Sequence, residues 1–257
     1  MTPSERPVCL ITGSASGIGA SCATFFARSG WDVGICYLDD ATRSDAESVA
    51  DACTALGART FVQMLNVTRY DDCVRVATDT AAHFGRLDAL LNCAGTTRFI
   101  RHADLDALNA DEFTRTYDVN VIGTYNMTKA CTDALRRSGR GSVVNISSIA
   151  GLHGVGSSVA YAASKGAVNT LTLSLARALS PQIRVNAIAP GLIQTRFASA
   201  LVDNPDIVER IVSKTPLGRY GQPEEIAGGA VYLASDAASF LTGHVLVIDG
   251  GMTLASI

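Results

Sequence analysis

Short apolar runs alternate along the chain with longer stretches whose apolar residues recur at three- and four-residue intervals. The runs Val8–Thr12, Asp32–Tyr37, Thr60–Asn66, Leu87–Asn92, Gly141–Ser147, Ile183–Ala189 and His244–Asp249 predict seven strands. Between them, Ala41–Leu56, Tyr70–Phe84, Asn109–Leu135 and Tyr161–Leu179 predict helices. The strands carry Val, Ile and Leu on both faces, which suits a buried parallel sheet rather than one with a wet side. Strands regularly separated by helices imply right-handed βαβ units and a doubly wound α/β fold, a seven-stranded parallel sheet with helices on both faces. No repeat, linker or composition break divides residues 1–257, so one domain is expected, with its core over about 7–252. In such a sheet ligands bind beyond the carboxyl ends of the strands, and chemistry is to be sought there.

Composition narrows the function classes. The chain has 257 residues, 47% hydrophobic and 18% charged, enough apolar content for a large core and too much for disorder. A net charge of −3 gives no pull toward nucleic acid or an acidic membrane, so neither partner is expected. Seven cysteines, Cys9, Cys22, Cys36, Cys53, Cys73, Cys93 and Cys131, form no C-x-x-C pair and fall mostly in apolar patterns. They predict reduced core thiols, with no disulfide frame and no metal site. The opening MTPSERPVCLITG has no signal-peptide core, and no apolar run approaches the ~18 residues of a membrane span. A soluble cytoplasmic protein is the expectation.

Two stretches suggest chemistry. TGSASGIG, Thr12–Gly19, puts glycines at 13, 17 and 19 between the first strand and a helical pattern. Glycine permits a tight turn and close backbone approach to a pyrophosphate, and a helix N-terminus offers free N–H donors. The spacing G-x-x-x-G-x-G is neither the generic dinucleotide fingerprint nor an NTPase loop, and a plain glycine turn is the alternative. In SVAYAASKGA, Tyr161 and Lys165 lie four apart, hence neighbours on one helix face. A lysine cation near a phenol favours the phenolate and would bring a tyrosine from ~10 toward neutral pH. Alternatively the pair is a half-buried tyrosine beside a solvated lysine.

Six motifs taken together resemble the short-chain dehydrogenase/reductase family: Thr12–Gly19, NCAG at Asn92–Gly95, NVIG at Asn120–Gly123, NISS at Asn145–Ser148, Tyr161-x-x-x-Lys165 and APGLIQT at Ala189–Thr195. They stand in the family's order, and the nearest subgroup is of the 3-oxoacyl-[acyl-carrier-protein] reductase type. The resemblance implies a Rossmann-type domain that moves a hydride between a nicotinamide cofactor and an alcohol or ketone. It implies Tyr161 as acid/base, Ser148 (with Ser147 as the alternative) on the substrate oxygen, Lys165 on the nicotinamide ribose while depressing the tyrosine pKa, and Asn120 holding a relay water. Gly13, Ser16, Gly17, Ile18 and Gly19 would take the pyrophosphate. Asn66, where the family commonly has Asp, and Val67 would meet the adenine. Asn92, Ala94 and Gly95 would line its ribose, and Pro190, Gly191, Ile193 and Thr195 would hold the nicotinamide amide. Asp39, twenty residues past Gly19, would accept from the ribose hydroxyls, favouring NAD over NADP. Substrate would meet Ser148, Tyr161 and His153, with Arg98, Arg101 and His102 either beside it or simply solvated. A homotetramer is implied, with a dimer as fallback. The rival class is a nucleotide-binding scaffold without catalysis, which the intact Asn120, Ser148, Tyr161 and Lys165 set disfavours.

Overall fold

The computed structural model describes residues 6–199 and 204–254. Seven strands, β1 (Val8–Ile11), β2 (Asp32–Tyr37), β3 (Thr60–Met64), β4 (Ala89–Asn92), β5 (Gly141–Ile146), β6 (Ile183–Pro190) and β7 (Val245–Ile248), form one sheet in the order β3-β2-β1-β4-β5-β6-β7. Every pairing is parallel, with Ile11 beside both Ile35 and Leu91. The order reverses between β1 and β4, so loops after these two strands open a crevice at the carboxyl edge.

The helices are α1 (Gly17–Arg28), α2 (Asp40–Ala55), α3 (Tyr70–Phe84), α4 (Ala110–Tyr117), α5 (Gly123–Arg137), α6 (Ala150–His153), α7 (Val159–Leu179), α8 (Pro205–Val212) and α9 (Pro223–Ala234). Alternate residues of each strand feed two cores on opposite faces. Cys9, Ile11, Val33 and Ile35 pack with Phe26, Trp31 and Ala50 under α1 and α2, joined by Ile226 and Leu233 of α9. Val8, Leu10, Val143 and Val185 pack with Val76, Met127, Leu135 and Leu179 under α3, α5 and α7. Burial on both faces is what the continuous apolar strand runs require.

Differences from the expected boundaries have local causes. β3 stops at Met64 because Asn66 turns the chain, its Oδ1 accepting from the backbone N–H and hydroxyl of Thr68 at 3.0 and 2.8 Å. The helix expected over Asn109–Leu135 is interrupted by a single π-turn, Asp118–Ile122, between α4 and α5. No helix among the described residues is long and apolar enough to cross a membrane.

Candidate active site

The turn after β1 is shaped to admit an anion. Gly13 and Gly17 adopt φ +64° and +56°, the left-handed region that glycine enters freely. A Cβ on Gly13 would stand 2.9 Å from Ala94 Cα, and one on Gly19 would collide with the Gly13 carbonyl. Ser16 occupies the N-cap of α1 in extended backbone without using its side chain there, and the first turn of α1 holds no acidic residue. The first turns of α2, α3, α4 and α9 carry one, whereas α5, α6 and α7 lack one as α1 does, and only α1 opens directly from the glycine turn. The N–H groups and positive end of α1 are thus left for an anion from elsewhere, and the residues present fit a dinucleotide pyrophosphate. Two buried hydroxyls stiffen the turn. Ser14 Oγ accepts from Cys36 N at 2.8 Å, and Thr12 Oγ1 accepts from the N–H groups of Cys93 and Ala94, each at 3.0 Å.

The remaining groups converge from β4, β5, α7 and the π-turn. Ser158 caps α7, its side chain accepting from Tyr161 N, which sets the helix start and so aims Tyr161 and Lys165. The Tyr161 phenol stands beside the Ser148 hydroxyl, whose Oγ accepts from Ala150 N at 3.1 Å. Lys165 is buried, donates from Nζ to the Ile146 carbonyl at 2.7 Å, and sits 5.7 Å from the Tyr161 ring centroid. Asn120, 1% exposed, points inward from the π-turn. Its Nδ2 donates to the Thr96 carbonyl and Ser164 Oγ, both at 3.0 Å, while Oδ1 accepts from Thr96 N at 2.8 Å. Gly95 lies between them: a Cβ there would be 3.4 Å from Asn120 Oδ1 and 3.8 Å from Lys165 Nζ. π-turns recur at functional sites because the widened turn re-aims a side chain, as happens to Asn120.

Electrostatics departs from the sequence expectation. Burial pushes the Tyr161 phenol up to about 12, and the neighbouring Ser148 hydroxyl offsets this only in part. Burial likewise brings the Lys165 ammonium down to about 8. Nζ bonds the Ile146 carbonyl rather than the phenol oxygen, and desolvation is the largest cause of both shifts. With its pKa raised this way the Tyr161 phenol keeps its proton at neutral pH.

Several assigned residues are engaged otherwise than expected. Asn92 is 4% exposed, and its Nδ2 donates to Thr128 Oγ1 and Asn145 Oδ1, so its side chain links β4 to β5 and α5 inside the sheet. Asp39 caps α2, its Oδ1 accepting from Thr42 N at 3.2 Å while the Thr42 hydroxyl accepts from Asp39 N. Both amide hydrogens of Asn120 are spent on protein, leaving its oxygen with one lone pair for a relay water. Ser147, the alternative to Ser148, is buried and donates to Asn169 Oδ1 at 2.6 Å. The Val67 carbonyl accepts from Asn126 Nδ2 at 3.1 Å. Ile18 is half-buried against the α1 core. Pro190 ends β6, and its carbonyl accepts from Ile149 N at 3.1 Å, tying that strand end to the Ser148 loop. A Cβ on Gly191 would press within 2.9 Å of Asp249 Cα, Ile193 is buried, and Thr195 caps the short turn Arg196–Ala198. His153 ends α6 and is exposed, as are Arg98 and Arg101, whereas His102 is half-buried with Nε2 lacking a partner. Phe197, which sequence reasoning missed, places its ring centroid 6.0 Å from that of Tyr161. Only its place just after Thr195 hinted at it.

The family described as Enoyl-(Acyl carrier protein) reductase matches residues 13–253. A Streptomyces violaceoruber protein named as ketoacyl reductase 2 of the granaticin polyketide synthase is 41% identical over 253 residues, 97% of each chain. A crystal structure described as a short-chain dehydrogenase/reductase from Burkholderia xenovorans is 47% identical, with a TM-score of 0.91 over 98% of this chain and 99% of that one. A gluconate 5-dehydrogenase from Burkholderia cenocepacia, solved with NADP and tartrate, is 30% identical with a TM-score of 0.90 over 98% and 97%. Similarity at these levels runs from end to end rather than through the glycine turn alone, and the chain belongs to the short-chain dehydrogenase/reductase family, oxidoreductases that work with nicotinamide cofactors.

Proposed function

We propose that the chain, acting as one domain, interconverts an alcohol and a ketone at a CH–OH carbon, with Tyr161 as proton donor and acceptor. The observation that carries this is the Tyr161 phenol set beside the Ser148 hydroxyl at the cleft, with buried Lys165 Nζ 5.7 Å from the centre of its ring. A bound nicotinamide cofactor would supply or accept the hydride. Ser148 would hold the substrate oxygen, Tyr161 would pass it a proton, and Lys165 would steady the cofactor ribose. Gly13, Gly17, Gly19 and the α1 N-terminus would carry the pyrophosphate, with Thr195 against the nicotinamide. Phe197 would form one wall over the reacting carbon. Because Tyr161 holds its proton, the reductive direction suits the site as it stands.

NAD is inferred as the preferred cofactor. The end of β2 reads CYLDD, and the nearby cations are taken, Arg43 by Glu47 at 2.9 Å and Arg196 by Asp45 at 2.6 Å. A 2′-phosphate would meet carboxylates there. The second reading is an NADPH-dependent 3-oxoacyl reductase, favoured by the ketoacyl reductase name of one relative and the NADP bound to another. A homotetramer is proposed as the assembly, on the apolar side chains left exposed on α5, α7 and the sheet edge.

One experiment tests the reading. Alcohols and ketones are screened by nicotinamide absorbance with wild type and Tyr161→Phe, and both proteins are titrated with NADH and NADPH by fluorescence. The phenylalanine ring still packs but moves no proton, so kcat should fall ~10²–10⁴-fold with cofactor binding kept. NADH should bind about tenfold more tightly than NADPH. Near wild-type turnover in Tyr161→Phe would sink the tyrosine assignment, and tighter NADPH binding would favour the second reading.

A further inference from the structure

Past β6 the chain turns back over the sheet. β6 and β2 stand four strand spacings apart, about 19 Å at ~4.8 Å each, with β1, β4 and β5 between them. Yet Arg196, just beyond β6, sets its Nη2 2.6 Å from Oδ2 of Asp45 on α2. The segment gets there by lying against the glycine turn, since a Cβ on Gly17 would stand 3.3 Å from Thr195 Cγ2. The ion pair therefore crosses the groove above the strand ends, from the Thr195 side to the β2 side. Neither partner is needed to build its own element. Asp39 and Thr42 already cap α2, and Thr195 caps the turn that carries Arg196. The arginine side chain is 72% exposed and the aspartate 40%, so the pair adds little to folding and opens at small cost.

We infer that Arg196 and Asp45 form a clasp that closes over a bound dinucleotide and must open for it to leave, making Arg196 a positioning residue that sets cofactor exchange. The inference rests on reading the groove as the dinucleotide site. An exposed pair that spans a cleft is coupled to whatever fills it, because a ligand lying beneath can leave only when the pair is broken. Salt weakens such a pair, so exchange should quicken with ionic strength.

The test is stopped-flow release of NADH and of NADPH, read by cofactor fluorescence, at low and high salt. The proteins are wild type, Arg196→Ala, Asp45→Ala and the charge-swapped double variant Arg196→Asp with Asp45→Arg. At low salt each single variant should release cofactor about three- to fivefold faster than wild type, the range an exposed ion pair supplies. The swap should return the rate to within about twofold, and high salt should bring wild type up to the single variants. Recovery in the swap separates a clasp from a side chain that merely packs. Equal rates in wild type and Arg196→Ala, or no recovery in the swap, would overturn the clasp while leaving the groove assignment standing. If neither cofactor binds wild type, the groove reading and the clasp fall together.

Discussion

Lys165 shows what a single residue costs. An ammonium brought from its usual 10.5 to about 8 by burial corresponds to about 3 kcal/mol held against folding. Below pH 8 the lysine is protonated in both folded and unfolded chains, and the whole cost is present. From pH 8 to 10.5 the unfolded chain keeps a proton the folded one has shed, so stability rises with pH, and above 10.5 the cost is gone. Lys165→Met should therefore stabilise the protein at pH 7 by ~1–2 kcal/mol, after about 1 kcal/mol is subtracted for leaving the Ile146 carbonyl without its donor. Urea unfolding of both proteins at pH 7 and pH 10 checks this: the gain should vanish at the higher pH, and a loss at pH 7 refutes it. Asp39 was legible in a different sense. An Asp followed three residues later by Thr at the head of a helical pattern is a capping signal, and its distance from Gly19 drew attention away from that simpler role. The raised Tyr161 pKa was not legible, because it depends on which atoms surround the phenol rather than on the four-residue spacing to Lys165.

At the scale of elements, strands read well because burial on both faces leaves an unbroken apolar run that few other structures need. Their ends read less well, since an Asx turn such as Asn66–Thr68 or a hydroxyl bridge such as Thr12 to Ala94 stops a strand without changing its hydropathy. The π-turn over Asp118–Ile122 was invisible for the same reason. One residue more per turn moves the apolar stripe without breaking it, so α4 and α5 look like one helix. Its consequence is packing as well as aim: a Cβ on Gly123, directly after the turn, would lie 2.9 Å from Val67 Cβ. The choice between Ser147 and Ser148 follows from a simpler rule. Adjacent residues leaving a strand face opposite ways, so one hydroxyl enters the structure toward Asn169 and the other faces Tyr161. The Arg196–Asp45 contact joins elements far apart in sequence, and no local pattern announces it.

For the whole molecule, topology was the most legible property, because alternating runs and one-handed crossovers leave few ways to order a sheet. A tetramer is expected from the resemblance alone, not from any local pattern in the chain. Ile122 and Tyr125 near α5, Leu173 on α7, Val247 on β7 and Phe240 are all more than a third exposed. Apolar groups spread over two sides suit two interfaces, and light scattering should return a tetramer mass that a monomer reading would refute. The cysteines give the molecule one more property. All seven are unpaired, and three, Cys9, Cys22 and Cys53, lie under one face of the sheet while Cys36, Cys73 and Cys131 lie under the other. Burial pushes every one of these thiols up, Cys53 to about 11 and Cys36 and Cys73 to about 12. At neutral pH on the order of one in ten thousand or fewer is thiolate, so an alkylating reagent can reach them only when a layer opens. The chain thus carries two sets of built-in timers. Mass spectrometry of each peptide during slow alkylation in mild denaturant should show the six labelled at one common rate if the two layers come apart together. Two rates, divided by sheet face, would mean that one layer peels away while the other still holds the strands.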